Sequence, residues 1–123
     1  MIRWVTAAML VVIPGLSGQA QEQLSVTAGT GAMVRTLDKL EGETREIELR
    51  SGETVALNRM DITLQECRYP ADDPASEAYA YLLIRDREEG ETVFEGWMLA
   101  TSPALNPMDH SRYDVWVLRC TTP

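Results

Sequence analysis

The stretch Gly42-Glu43-Thr44-Arg45-Glu46-Ile47-Glu48-Leu49-Arg50-Ser51-Gly52-Glu53-Thr54 decides what kind of fold this chain makes. Between two copies of the word Gly-Glu-Thr, Ile47 and Leu49 alternate with Glu46 and Glu48, the period-two pattern of a strand with one dry and one wet face. Each Gly stands where a tight turn needs positive φ, and each Thr opens the next strand with a β-branched side chain. The word recurs at Gly90-Glu91-Thr92. Its spacings of ten and thirty-eight residues are unequal, so it marks shared hairpin chemistry and not a structural repeat.

Working outward, strand-like runs fall at Val34–Lys39, Arg45–Arg50, Thr54–Leu57, Ile62–Arg68, Ala78–Asp86, Thr92–Leu99 and Asp114–Cys120. Turn residues separate them, and no segment sustains a helical period. The pattern predicts an all-β fold, a small antiparallel β-sandwich or barrel of about seven short strands with a long loop before the last. Later strands are apolar on both faces: Tyr79, Tyr81 and Leu83 oppose Ala80, Leu82 and Ile84, and Val115 and Val117 oppose Trp116, Leu118 and Cys120. Such strands are central, or one face meets a partner. Cys67 has the opposite parity to Ile62 and Leu64, so its meeting with Cys120 calls for a bulge near Glu66 or a bridge just beyond the strand end.

Before the first strand, residues 21–32 are small, polar and aperiodic, and read as a flexible leader to a single β domain over 33–123. Residues 1–20 read as a signal peptide: Arg3 supplies the positive start, Trp4 to Leu16 is apolar apart from Thr6 and Gly15, and Gly18 and Ala20 are the small residues a signal peptidase requires. Cleavage is expected after Ala20, with delivery to the periplasm. Pro14-Gly15 stops the apolar run well short of the ~20 residues that span a bilayer, so no transmembrane anchor is expected. Leu16-Ser17-Gly18 is followed by Gln19 and not by Cys, so no lipid anchor is expected either. In an oxidising compartment Cys67 and Cys120 are expected to form a disulfide, which by chain entropy would contribute about 4 kcal/mol.

The chain has 11 Lys and Arg against 19 Asp and Glu, a net charge of −8 that becomes −9 once Arg3 leaves with the leader. So acidic a surface repels a polyanion, which argues against a nucleic-acid partner. The one histidine, His110, sits between strands beside Asp109, and with Ser102 or Ser111 it invites a hydrolytic triad. Neither serine lies in a strand–turn–helix elbow, so the favoured reading is a histidine that ties down a long loop and no catalytic residue is assigned. Asp72, Asp73, Glu88, Glu89 and Glu91 follow no calcium-loop spacing, and neither a metal nor another cofactor is expected.

The aromatic and apolar residues near the C-terminus are the better lead. Trp97, Leu105, Met108, His110, Tyr113 and Trp116 are the candidate binding residues, on a loop longer than a hairpin needs and on the strands that flank it. Parity suggests that Trp97 and Trp116 point into one region with Pro103, Leu105, Pro107 and Met108. A lid over the core end competes with a groove for a protein, lipid or glycan of the cell envelope. An aromatic platform for glycans is an alternative.

Phe94 to Leu105, then His110, Tyr113 to Leu118 and Cys120, together with Val34 to Leu40 and Cys67-Arg68-Tyr69, resemble the pattern of a family called domain of unknown function 2155. The resemblance spans about residues 33 to 120, and Ser111 departs from the proline usual after that histidine. It implies export to the periplasm, mainly in alphaproteobacteria, and it carries over no activity and no catalytic residue. The sequence therefore predicts a periplasmic β domain with a binding or envelope-maintenance role, and the hydrolase as its rival.

Overall fold

The computed structural model describes residues 10–15 and 25–123. Eight strands run in the order β1 Val26–Ala28, β2 Gly31–Asp38, β3 Glu43–Arg50, β4 Thr54–Leu57, β5 Met60–Pro70, β6 Tyr79–Asp86, β7 Thr92–Leu99 and β8 Tyr113–Thr121. A single turn of 3-10 helix, Pro103–Leu105, lies between β7 and β8. All pairings are antiparallel. One sheet has the order β1-β5-β6-β7, with β4 on β5, and the other the order β3-β2-β8. The fold is a sandwich, not a closed barrel.

Alternation sets what lies between the sheets. Ala32, Val34, Leu49, Met60, Ile62, Leu64, Leu82, Ile84, Phe94, Val115 and Val117 are all buried in one core. The glutamates of β3 are exposed while Leu49 is buried and Ile47 half-buried, as the alternation in that strand requires.

The expected bulge is present. The β5–β6 register shifts between Leu64 and Glu66, and this turns Cys67 inward with the core. A second shift, opposite Met33 and Val34, was not legible in the sequence: Val117 pairs with Val34 but Arg119 pairs with Met33, leaving Leu118 as the extra residue. It moves Cys120 off the Trp116 face and onto the buried side with Val115 and Val117, which corrects the parity reading. Cys67 and Cys120, with Cα atoms 5.7 Å apart, are joined in a disulfide that ties β5 of one sheet to β8 of the other.

Ordered structure begins earlier than the expected Met33. Val26–Ala28 pairs with Arg68–Pro70, and β2 starts at Gly31. The glycines that suggested a flexible leader are small for packing reasons. A Cβ on Gly29 would lie 2.7 Å from the Thr121 carbonyl oxygen, and one on Gly31 would lie 2.1 Å from that of Leu49. The signal-peptide segment and its cleavage site lie almost wholly outside the described residues.

Candidate functional site

The long connection crosses the whole side of the sandwich. Leu99 ends β7 beside Tyr79, level with the disulfide, whereas Tyr113 starts β8 beside Asp38, at the opposite end. Both strands run the same way, so residues 100–112 must travel back along the gap between two sheet edges. Short fastenings hold them there. At the start, Glu77 accepts from the Thr101 amide at 3.0 Å and from the Thr101 hydroxyl, and the Asn106 amide donates to the Trp97 carbonyl at 3.0 Å.

At the far end, two turns of one design grip the loop. In Asp38-Lys39-Leu40-Glu41-Gly42, the Asp38 Oδ1 accepts from the amides of Leu40 and Glu41 at 3.0 and 3.3 Å, and Gly42, at φ 69°, donates to the Asp38 carbonyl. Asp86 to Gly90 repeats this: Asp86 Oδ1 accepts from Glu88 and Glu89 at 2.9 and 3.4 Å, and Gly90 has φ 69°. One turn belongs to each sheet. Both carboxylates are buried, and each keeps capacity to spare for the loop. Asp38 takes Arg112 through two bonds, Nη2 to Oδ2 at 3.1 Å and Nε to Oδ1 at 3.3 Å, while Asp86 Oδ2 meets His110 Nε2 at 3.2 Å.

The charge environment follows from these partners. The Arg112 guanidinium hydrogen-bonded to Asp38 holds that carboxyl below the usual aspartate range, against the cost of burial, and Asp38 in turn raises Arg112. The His110 hydrogen bond, with the Glu88 and Glu89 amides, lowers Asp86 in the same way, again against burial. At Glu77 burial pushes the carboxyl up, and the bonds from Thr101 and the backbone more than offset it.

His110 is thereby engaged on both nitrogens. Its Nδ1 accepts from the backbone amides of Arg112 and Tyr113 at 3.0 and 3.1 Å. Its carboxylate neighbour is Asp86, not Asp109, which is exposed, and neither Ser102 nor Ser111 is among its partners. Lys39 adds a bond from Nζ to the His110 carbonyl at 2.9 Å. The sequence reading missed Asp38, Asp86 and Arg112. A signal was there: the longer word Asp-x-x-x-Gly-Glu-Thr occurs at 38–44 and 86–92 but not at 48–54, where Glu48 takes the first place.

Between these fastenings the loop stands off the sandwich and leaves a groove of about 290 Å³, lined by Met98, Pro103, Ala104, Pro107, Met108, Asp114, Val115 and Trp116. Val115 and Trp116 point to opposite faces of β8, so a groove that touches both runs along the edge of the strand. Met108 is buried there, whereas Leu105 is 73% exposed and does not line it. Tyr113 is buried in the core cluster, its ring centroid 5.3 Å from that of His110. Trp97 is elsewhere, on the outer face of its own sheet, edge-on to Tyr81 and stacked under Arg68 at 5.6 Å. There it lines a depression of about 400 Å³ with Val26, Arg68 and Tyr79. The two tryptophans therefore do not share a region. Of the six expected binding residues only Met108 and Trp116 meet in the groove, because the β7 and β8 edges face each other across different sheets.

Among the described residues there is no cluster of three or more His, Cys, Asp or Glu placed to hold a metal ion, and no helix long and apolar enough to cross a membrane.

These features define a disulfide-linked β-sandwich with a loop strapped along one edge. The chain belongs to the family described as uncharacterized protein conserved in bacteria, DUF2155, whose model matches residues 32–120. It is 26% identical over 94 residues to an uncharacterized protein of Rickettsia prowazekii (strain Madrid E), an alignment that covers 74% of this chain and 61% of that relative's length. No solved structure matches.

Proposed function

We propose that this chain is an exported, non-catalytic binding module of the bacterial cell envelope, and that its recognition surface is the groove between the strapped loop and β8. The observation that carries the reading is the pairing of a rigidly fastened loop with an apolar groove left open beside it. Loops of this length are costly to order unless they cover or bind something. Here His110, Arg112, Lys39, Asn106 and Glu77 all serve to hold the strap, which leaves its prolines and Met108 to shape a wall. With both ring nitrogens bonded, His110 suits a fastener better than a general base.

Export is supported by two further features. The Cys67–Cys120 pair is placed for a disulfide, which persists in oxidising compartments. Leu10, Val11, Val12 and Ile13 are exposed and belong to no part of the core, so the domain does not pack on these four residues. The partner would be a protein, lipid or glycan of the envelope.

The test is fluorescence quenching of the exported protein carrying Trp97→Phe, in which Trp116 is the sole emitter once the leader is cleaved. Acrylamide accessibility is measured alone and with anionic lipid vesicles, peptidoglycan fragments or periplasmic extract. Shielding of Trp116 by one of these supports the reading. Accessibility unchanged by all three removes the groove as the recognition surface, and mass spectrometry showing anything but a chain starting at Gln21 removes the export step.

A further inference from the structure

We infer that His110 is a pH-operated latch on the strap: the neutral ring locks residues 110–113 in place, and a second proton on the ring releases them. The latch acts on the strap itself, so it stands or falls apart from whatever the groove binds.

The lock depends on where the ring carries its proton. Nδ1 accepts from two backbone amides, those of Arg112 at 3.0 Å and Tyr113 at 3.1 Å, which requires a bare lone pair on that nitrogen. The one proton of the neutral ring is therefore on Nε2, where it meets Asp86 Oδ2 at 3.2 Å. An imidazolium has no lone pair to offer. Protonation at Nδ1 would set a new N–H against two N–H donors, while the contact with Asp86 would become an ion pair. The ring would keep Asp86 and lose the strap backbone.

The surroundings supply the opposing pull. Glu88, Glu89 and Glu91 of the β6–β7 turn line a cavity of about 450 Å³ together with Asp86, His110 and Asp109 of the strap. Two cations line it as well, and both are engaged: Arg59, from the β4–β5 turn, by Glu88, and Arg112 by Asp38. Lys39, from the β2–β3 turn, donates to the His110 carbonyl, and the Tyr113 ring lies 5.3 Å from the imidazole. An incoming proton therefore meets mainly carboxylate on the Nε2 side and amide N–H groups on the other.

The stretch held by this ring has few other holds. Between Asn106, bonded to the Trp97 carbonyl, and Arg112, bonded to Asp38, residues 107–111 are hydrogen-bonded among the described residues only at His110, through its ring and its carbonyl. Pro107 and Met108 of the groove belong to that stretch.

The direction of the effect follows from the proton count. The fastened ring carries one proton and the released ring two once pH is below the usual histidine range, so the released form gains as pH falls. His110 is the only histidine of the chain, and hydrogen bonds hold Asp38 and Asp86 below the usual aspartate range. Between about pH 7.5 and 5.5 the imidazole is therefore the side chain that changes charge.

The test is amide hydrogen exchange of the exported protein followed by NMR, each rate taken relative to that of an unstructured peptide at the same pH. Protection at Arg112 and Tyr113 should fall about 10-fold from about pH 7.5 to 5.5, in step with titration of the His110 ring carbons, while Leu82 and Ile84 keep theirs. In His110→Ala the same two amides should be weakly protected at both pH values and show no such fall. Constant protection in wild type while the ring titrates would overturn the latch, and so would a ring that takes up no proton above about pH 5. A fall of equal size in His110→Ala would overturn it too, by placing the sensitivity in the surrounding carboxylates. Should the variant fail to fold, the wild-type ring titration and exchange decide between these outcomes. Failure of the latch leaves the groove to its own quenching test.

Discussion

The two ends of the sandwich are closed by different chemistry. At one end Cys67 and Cys120 join the sheets covalently. At the other, about 20 Å away along the strands, Asp38 from one sheet and Asp86 from the other grip Arg112 and His110 of a single loop. The disulfide constrains the unfolded chain and depends on redox conditions, whereas the aspartate grips act only in the folded state and depend on pH. The polar end holds the C-terminal half of the strap through His110 and Arg112, whereas the covalent end meets only its start, where Glu77 holds Thr101. The covalent end should therefore govern global stability and the polar end the placement of residues 110–112 beside the groove.

The largest effect is expected from the covalent end. The bridge joins residues 53 apart, so the Cys67→Ser, Cys120→Ser double variant should lose about 4 kcal/mol, which for a domain of this size lowers Tm by roughly 15–25 °C. Thermal melts monitored by circular dichroism would measure it. Alkylation of exported protein without reductant should label neither cysteine. Two labelled thiols, or an unchanged melting temperature, would remove the covalent half of the contrast.

Arg112→Ala comes next. It leaves the buried Asp38 carboxylate with its turn amides but without its cation, and Tm should fall by about 5–10 °C. Because the two ends share no partners, this loss should add to that of the cysteine variant. Strong non-additivity would mean that the ends are coupled through β8.

How much of this was readable from residues alone follows the reach of each interaction. The strands were legible because alternation at Ile47 and Leu49, or at Leu82 and Ile84, is local to one segment. The bulge near Glu66 could be anticipated because two cysteines had to meet. The bulge at Leu118 could not, since nothing in Trp116-Val117-Leu118-Arg119 marks a change of face; its effect is to turn Cys120 of β8 inward, where it meets Cys67 of β5. The candidate site fared worse. Trp97 and Trp116 have matching chemistry, but their placement depends on which sheet each strand joins, and strand order is invisible to periodicity. Asp38 and Asp86 looked like ordinary strand-end charges because their partners stand seventy-four and twenty-four residues away.

A pH titration sharpens the contrast further. Asp38 and Asp86 both titrate below their unfolded value of about 3.9, so their contribution is complete above that pH and is lost as pH falls through the lowered folded values. Stability should thus decline below about pH 4 in wild type and in the double cysteine variant alike, and Asp38→Asn should flatten the decline. Urea midpoints between pH 5 and pH 2 provide the measurement. A decline of equal steepness in Asp38→Asn would place the acid sensitivity outside the polar end.

The smallest change in global stability is expected at His110, and it separates the fastener from the hydrolase. The ring offers one bond to Asp86 and accepts two amides, yet it is half-buried, so water can take over those groups when the ring is removed. His110→Ala should lower Tm by only about 2–4 °C. Locally the effect should be larger. With the Arg112 and Tyr113 amides released and this end of the strap held by Asp38 and Lys39 without the ring, hydrogen exchange at those amides should accelerate by roughly 10-fold or more while Leu82 and Ile84 in the core stay protected. Unchanged exchange at 112 and 113 would show that the ring fastens nothing. A folded variant with intact exchange that lost a hydrolytic activity present in wild type would make His110 the base that its two occupied nitrogens argue against.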